Sequence, residues 1–493
     1  MFTASNRPAP DFTFDVDFNG GPAESRNRDL GGKGQLIVRA AEPRFVFRGK
    51  ARKLFSLGAP TVEIALRSDE IANVLAEGAN VQFATTRGKS GATKTPFTFA
   101  GASADYATAI AAMLPATKDA EFVASEDFIA RIRQLPGGGA ISITNLLLLA
   151  NGLVFVVMGF LGAGWFEVAS MEPYIRFGAN NAAATTDGEW WRLGTCMFLH
   201  FGLVHLLLNA WALFQSGQLV ERLFGRGLYL LVYFGSGLAG SVATLLWKGD
   251  KAWSAGASGA VFGVFGALLG YLLREKQGIP KGIFQPIFKS TLAFAGYNLF
   301  FGAIHPNIDN AAHLGGLAGG FILGWLCALP PDRAIRAQLS GQRACLAIVV
   351  IAGVVGAGIR FAPRYDYRVS EDRALRAITD NARSIEQQII PGMFTATHSL
   401  LANRGAAEFA RRMKEEGIPF YTNWRAQLDR LTLTPGRRTA RQREQWRRVI
   451  DLKSETYLRY ATALEAGSPT ASRDYDLARV HIADEELRAI NTK

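Results

Sequence analysis

Residues 256–273 read GASGAVFGVFGALLGYLL. The run carries no charged side chain, and glycine recurs at 256, 259, 263, 266 and 270. A helix of this length rises about 27 Å at 1.5 Å per residue, close to the ~30 Å of bilayer hydrocarbon. Glycines along such a helix let a second helix approach closely, the packing device used where lipid removes the hydrophobic drive between helices. Outward from this run, apolar segments recur near 141–163, 196–219, 228–247, 257–273, 284–304, 311–329 and 344–361. Each is long enough to span hydrocarbon, whereas an apolar run of about 10–14 residues is more often a buried soluble helix.

The charge distribution agrees. Residues 141–361 hold 23 charged side chains in 221 positions, and the other 272 positions hold 73. The mean hydropathy of +0.09 is therefore an average over a membrane block and charged soluble ends. The apolar fraction of 49% excludes a disordered chain, and three cysteines exclude a disulfide scaffold. The net charge of +12 divides into 14 basic against 9 acidic residues in the block and 40 against 33 outside it. Basic residues at span ends orient helices, so this surplus is no argument for nucleic acid.

Residues 1–34 are Asn-, Gly- and Pro-rich and read as a disordered arm without a signal peptide. Residues 35–135 give short β-rich runs and a closing helix, a soluble domain similar to a PH-like barrel. Residues 363–493 read as a helical soluble region, with the basic stretch Arg437 to Arg448 taken as a solvated helix face rather than a lipid contact. Residues 344–361 make a seventh span. With the N-terminus in the cytoplasm, the inner connections carry Arg222, Arg226, Arg274, Lys276, Lys281, Lys289, Arg333, Arg336 and Arg343. The outer ones carry Arg176, Arg192, Lys248 and Lys251. That orientation puts 363–493 outside and favours a bacterial inner membrane.

Polar groups inside spans are costly and point to function. Four of the six histidines (His200, His205, His305 and His313) fall in the block, toward the outer ends of spans or in outer loops. Ser258, flanked by Gly256 and Gly259, opens the fourth span, and His313 opens the sixth. Both spans are glycine-lined, so they can pack closely enough to bring the hydroxyl to the imidazole. A neutral histidine takes the serine proton and returns it to a leaving amine. Asp309 lies four residues from His313 and is not assigned to a triad. His205 and Asn209, four apart on one helix face, are donors suited to an oxyanion, together with the Ser258 amide. Taken singly, the serine reads as a helix cap and the other two as interhelical ties. His200 is assigned to structure, tying the outer loop to its helix, and His305 to the surface. No metal or cofactor is called for.

In combination these motifs resemble the rhomboid intramembrane serine proteases. They are Glu189-Trp-Trp191-Arg192, His200-x4-His205-x3-Asn209, Gly256-Ala-Ser258-Gly259 and Ala312-His313-Leu-Gly-Gly. The resemblance covers about 140–330 and implies a polytopic α-helical fold, a six-span core with a Ser258–His313 dyad opening to the outer face. Phe262 takes the position that packs an aromatic on the histidine, and Trp191 and Arg192 support the first outer loop. The resemblance further implies cleavage of transmembrane segments of other membrane proteins near their outer end, and substrate entry past the fifth span. The alternative is a non-catalytic rhomboid-like binder of membrane proteins in trafficking or quality control, against which the intact Ser258/His313 pair argues. A transporter would place polar residues near the midplane of both halves of the bundle.

Overall fold

The computed structural model describes residues 11–18, 30–39, 44–51, 60–85, 95–137, 141–305, 308–398 and 402–491. Two compact units divide the chain, Met1–Gln134 with Glu275–Lys289, and Leu135–Arg274 with Ser290–Lys493.

The first unit is a seven-stranded antiparallel sheet. Its strands are β1 (Phe12–Asp17), β2 (Leu30–Arg39), β3 (Arg44–Ala51), β4 (Thr61–Arg67), β5 (Ile71–Glu77), β6 (Asn80–Thr85) and β7 (Thr95–Ala100). Their order is β4-β3-β2-β1-β7-β6-β5. Alternation puts one face of each strand inward, where Phe47 lies 4.6 Å from Phe97 and 5.5 Å from Phe83 by ring centroids. Helix α1 (Ala104–Met113) is capped by Ser103, which accepts from the Tyr106 amide, and buries Ala107 and Ile110. Helix α2 (Ala120–Arg133) follows, capped by Asp119. The disordered arm expected over 1–34 is corrected at Phe12–Asp17, which forms β1 and pairs along its length with β2. The stretch FTFDVD alternates apolar and polar residues and turns Val16 into the core. Residues 30–34 of that arm likewise belong to β2, and residues 1–10 and 19–29 lie outside the described residues.

The second unit begins with α3 (Ile143–Phe160), followed by the short helices α4 (Glu172–Phe177), α5 (Ala182–Thr186) and α6 (Arg192–Thr195). A helical bundle is completed by α7 (Leu203–Phe224), α8 (Arg226–Lys248), α9 (Ser258–Arg274), α10 (Lys281–Ile304), α11 (Asn310–Cys327) and α12 (Arg333–Phe361). The first part of α10 belongs to the other unit. Among the described residues five helices, α3, α7, α8, α10 and α12, are long and apolar enough to cross a membrane. Helix α9 has 17 residues and is buried continuously from Gly259 to Leu272. A helix apolar on every side belongs at the centre of a bundle. The expected second span, 196–219, is corrected at its start: Cys196–Phe198 is a 3₁₀ turn, and α7 begins only after Gly202, whose φ is +87°.

The helix containing 344–361 starts earlier, at Arg333, so Arg336 and Arg343 lie on α12 rather than in a connection. Arg336 is buried and donates to the carbonyls of Leu329, Pro330 and Arg222. Arg343 donates to Leu326 O at 2.7 Å. Both therefore satisfy carbonyls near helix C-termini. At the same end, the fully buried Glu221 of α7 accepts from the amides of Ile143 and Thr144 and from Thr144 Oγ1, each at 3.0 Å. A carboxylate thus caps the first turn of α3 from another helix.

After α12 come α13 (Val369–His398), α14 (Ala402–Arg412), α15 (Ile418–Asp429), α16 (Arg438–Glu465) and α17 (Ala471–Ile490). They enclose their own core of Leu375, Phe409, Tyr421, Trp424, Trp446 and Val449. Lys453 is buried between Glu386 at 2.9 Å and Glu486 at 3.0 Å. The stretch Arg437 to Arg448 is not a free solvated face. Arg437 pairs with Asp187, Arg438 with Asp372, Arg441 with Asp366 and Arg447 with Asp429.

Candidate active site

Ser258 is the first residue of α9 and is half-buried. The loop before it is stitched to three other segments. Asn180 and Ser254 exchange backbone hydrogen bonds of 2.8 and 2.7 Å. The Gly256 amide donates to Cys196 O at 2.9 Å. The Ala257 amide donates to His200 Nε2 at 3.3 Å. His200 thus fixes the backbone immediately before the serine, and its own carbonyl accepts from the Tyr174 hydroxyl at 3.0 Å. A buried amide without such an acceptor would cost about 1–3 kcal/mol.

Gly256 has φ +144°, a conformation that disfavours side chains. A Cβ built there would lie 2.8 Å from His205 Cε1, 3.0 Å from His205 Nε2 and 3.7 Å from Ser258 Oγ. The imidazole of α7 and the hydroxyl of α9 therefore border one small space, kept open by the missing side chain.

His313 lies in the first turn of α11, 8% exposed, with Nδ1 buried and without a hydrogen-bond partner among the described residues. Asp309 caps this helix by accepting from the Ala312 amide at 3.2 Å, while its other oxygen accepts from Thr244 at 2.7 Å and Ser254 at 2.6 Å. Its hydrogen bonds go to the cap and to neighbouring hydroxyls, away from the imidazole. Phe262, one turn beyond Ser258 on the same face, stacks on His313 with centroids 4.2 Å apart and planes 10° apart.

Helices α9 and α11 meet backbone to backbone. A Cβ on Gly316 would sit 2.0 Å from Gly259 O, and one on Gly320 equally close to Gly263 O. Gly259 follows Ser258 and Ala312 precedes His313. A Cβ on Gly259 would lie 3.4 Å from Ala312 O, so the glycine seam sets serine and histidine at one level.

Asn209 is buried and donates Nδ2 to His205 O at 2.9 Å, four residues back on its own helix. The His200 and His205 rings meet edge to face at 5.3 Å. His305 is exposed and stacks on Phe301 at 4.0 Å. In the first long connection Arg192 is buried, donates to Ile175 O at 2.7 Å and Ala179 O at 3.1 Å, and pairs with Glu189. Its guanidinium lies 4.7 Å from the ring of the exposed Trp191. Arg192 therefore braces this connection. Among the described residues no group of three or more His, Cys, Asp or Glu is placed to hold a metal ion.

Asp187, Tyr174 and Glu221 carry structural contacts that no local spacing in the sequence signals. Their partners lie far along the chain, up to 250 residues away for Asp187.

Residues 187–330 match the family model described as the Rhomboid domain. The Rhomboid protease GluP of Bacillus subtilis is 36% identical over 218 residues, 44% of this chain and 40% of GluP. The YdcA protein of the same bacterium, also named for the rhomboids, is 41% identical over 147 residues, 30% of this chain and 72% of YdcA. The chain belongs to the rhomboid family. RHOMBOID-like protein 7 of Arabidopsis thaliana is 34% identical over 215 residues, 67% of that relative's length. This chain thus spans less than half of GluP and about two thirds or more of the other two. Together with the apolar helices, membership makes it an integral membrane protein.

Proposed function

We propose that this rhomboid is an intramembrane serine endopeptidase using a Ser258–His313 dyad. The observation that carries the reading is the seam between α9 and α11, with Phe262 stacked on His313 one turn below Ser258. The two Bacillus subtilis relatives both carry rhomboid protease names, which supports the reading.

Ser258 Oγ attacks the scissile carbonyl while His313 accepts its proton. The tetrahedral oxyanion is met by the Ser258 amide, His205 and the second Nδ2 hydrogen of Asn209, the first being held by His205 O. His313 then gives the proton to the leaving amine, and water cleaves the acyl-enzyme by the reverse sequence. Substrates are transmembrane segments that unwind near their outer end, because a peptide bond inside an intact helix is shielded. The N-terminus lies in the cytoplasm of a bacterial inner membrane, α12 completes seven spans, and substrate enters past α10.

The test is cleavage of a single-span substrate in proteoliposomes. Wild type should cut near the outer end of the span, and Ser258→Ala and His313→Ala should not. Equal cleavage by all three, or none by wild type across several substrates, rejects the reading.

A further inference from the structure

The helices α13–α17 are fastened to the bundle at the end where Ser258 lies. Asp187, just beyond α5, pairs with Arg368 at 3.3 Å and Arg437 at 3.0 Å, two arginines from separate segments. The Tyr367 hydroxyl donates to Asp250 Oδ2 at 3.0 Å. Ala362 and Tyr365, in the segment leading to α13, pack with Leu193, Val242 and Leu245. An isolated exposed ion pair contributes little to stability. These contacts differ because Asp187 is 20% exposed and receives two guanidinium groups, and because they grip both sides of one lattice.

Asp250 is the second residue of the loop between α8 and α9. Asn181, the cap of α5, holds that loop by donating Nδ2 to Asp250 O at 2.9 Å and Ala252 O at 3.1 Å. From there the loop runs through the Ser254, Gly256 and Ala257 hydrogen bonds directly into Ser258. Asp187 and Asp250 are therefore joined to the serine by a series of contacts that are already made.

We propose that the C-terminal helical domain positions the nucleophile loop, with Arg368 and Arg437 on Asp187 and Tyr367 on Asp250 as its clamp. This rests on the protease reading for its catalytic consequence. Its structural consequence stands alone. The clamp residues are positioning residues and touch no reacting atom.

The test uses the full chain in lipid nanodiscs, as wild type, the double variant Arg368→Ala/Arg437→Ala, Tyr367→Phe, and the conservative Asp187→Glu. Hydrogen exchange by mass spectrometry should show amides of 249–257 exchanging about ten-fold faster in the double variant, with 203–248 unchanged. In proteoliposomes kcat should fall about ten-fold with KM unchanged, because a loosened nucleophile loses alignment rather than binding. Tyr367→Phe should shift both readouts the same way, and Asp187→Glu should stay near wild type. Unchanged exchange over 249–257, or faster exchange spread equally over 203–248, overturns the clamp. Absence of cleavage by wild type overturns the protease reading instead, and the exchange result still decides the clamp.

Discussion

Replacing Gly316 by alanine puts one methyl group into the seam that sets Ser258 beside His313. The added Cβ would lie 2.0 Å from Gly259 O, whereas ordinary contact begins at 3.4 Å, so the two helices must part locally by about 1.4 Å. The atom it meets is backbone and cannot rotate aside. Overpacking of this kind costs about 1–3 kcal/mol in stability. The kinetic cost should fall at the upper end of that range, since a misplacement of about 1 Å between catalytic groups lowers a rate by about 10²-fold. The assay is proteoliposome cleavage of a single-span substrate, with thermal unfolding of the same preparation. Gly316→Ala should remain folded, with its melting temperature lowered by a few degrees and kcat reduced about 100-fold. Gly320→Ala, pressed equally hard against Gly263 O but a turn deeper, should act in the same direction. Gly353→Ala is the control, because a Cβ there meets nothing within 4 Å. Cleavage by Gly316→Ala within two-fold of wild type would refute the claim that helix proximity assembles the site.

Four further outcomes are expected. His200→Ala removes the acceptor of the Ala257 amide and should cost about 1–3 kcal/mol and lower kcat, while His200→Gln, which keeps an acceptor, should recover part of the loss. Phe262→Ala removes the ring stacked on His313, and a stack of about 0.5–1.5 kcal/mol translates into a rate loss of about three- to ten-fold in a steady-state assay. Glu221→Ala strips three donors of their acceptor at the start of α3 and should lower thermal stability by about 3 kcal/mol. Burial works against the Lys453 ammonium, but Glu386 and Glu486 outweigh it and hold its pKa above the usual 10.5. Its contribution is therefore complete below that value and lost as pH rises through the higher folded one. Lys453→Met should destabilise the C-terminal helices by about 3 kcal/mol at neutral pH in a denaturant titration, since Glu386 loses its cation and Glu486 keeps only Arg383.

The seam between α9 and α11 was legible because glycines at 259, 263, 316 and 320 recur at helical spacing in apolar runs, and small residues on two spans have one common use. Stacking of Phe262 on His313 follows from its position four residues after Ser258. Contacts between distant segments were not legible. His200 was read as a tie between loop and helix, but nothing in its surroundings indicates that its partner is the amide beside the nucleophile, 57 residues on. The basic stretch after Arg437 has the local pattern of a solvated helix, and only the fold shows that Arg437 meets an aspartate 250 positions earlier. Strand β1 was missed for another reason. Its six residues alternate properly, but they sit between Asn-, Gly- and Pro-rich neighbours that dominate any composition window. Arg336 and Arg343 look like loop charges in the sequence because a charge pattern cannot tell a cation facing headgroups from one capping a carbonyl.

The dyad itself is tested most directly by trapping it. A fluorophosphonate reacts at phosphorus only with a serine whose proton is being withdrawn, and fluoride leaves. Full-length protein in nanodiscs should give one adduct, mapped by peptide mass spectrometry to Ser258, and His313→Ala should lose it. An adduct on another residue, or labelling of Ser258 that proceeds undiminished without His313, would contradict the dyad.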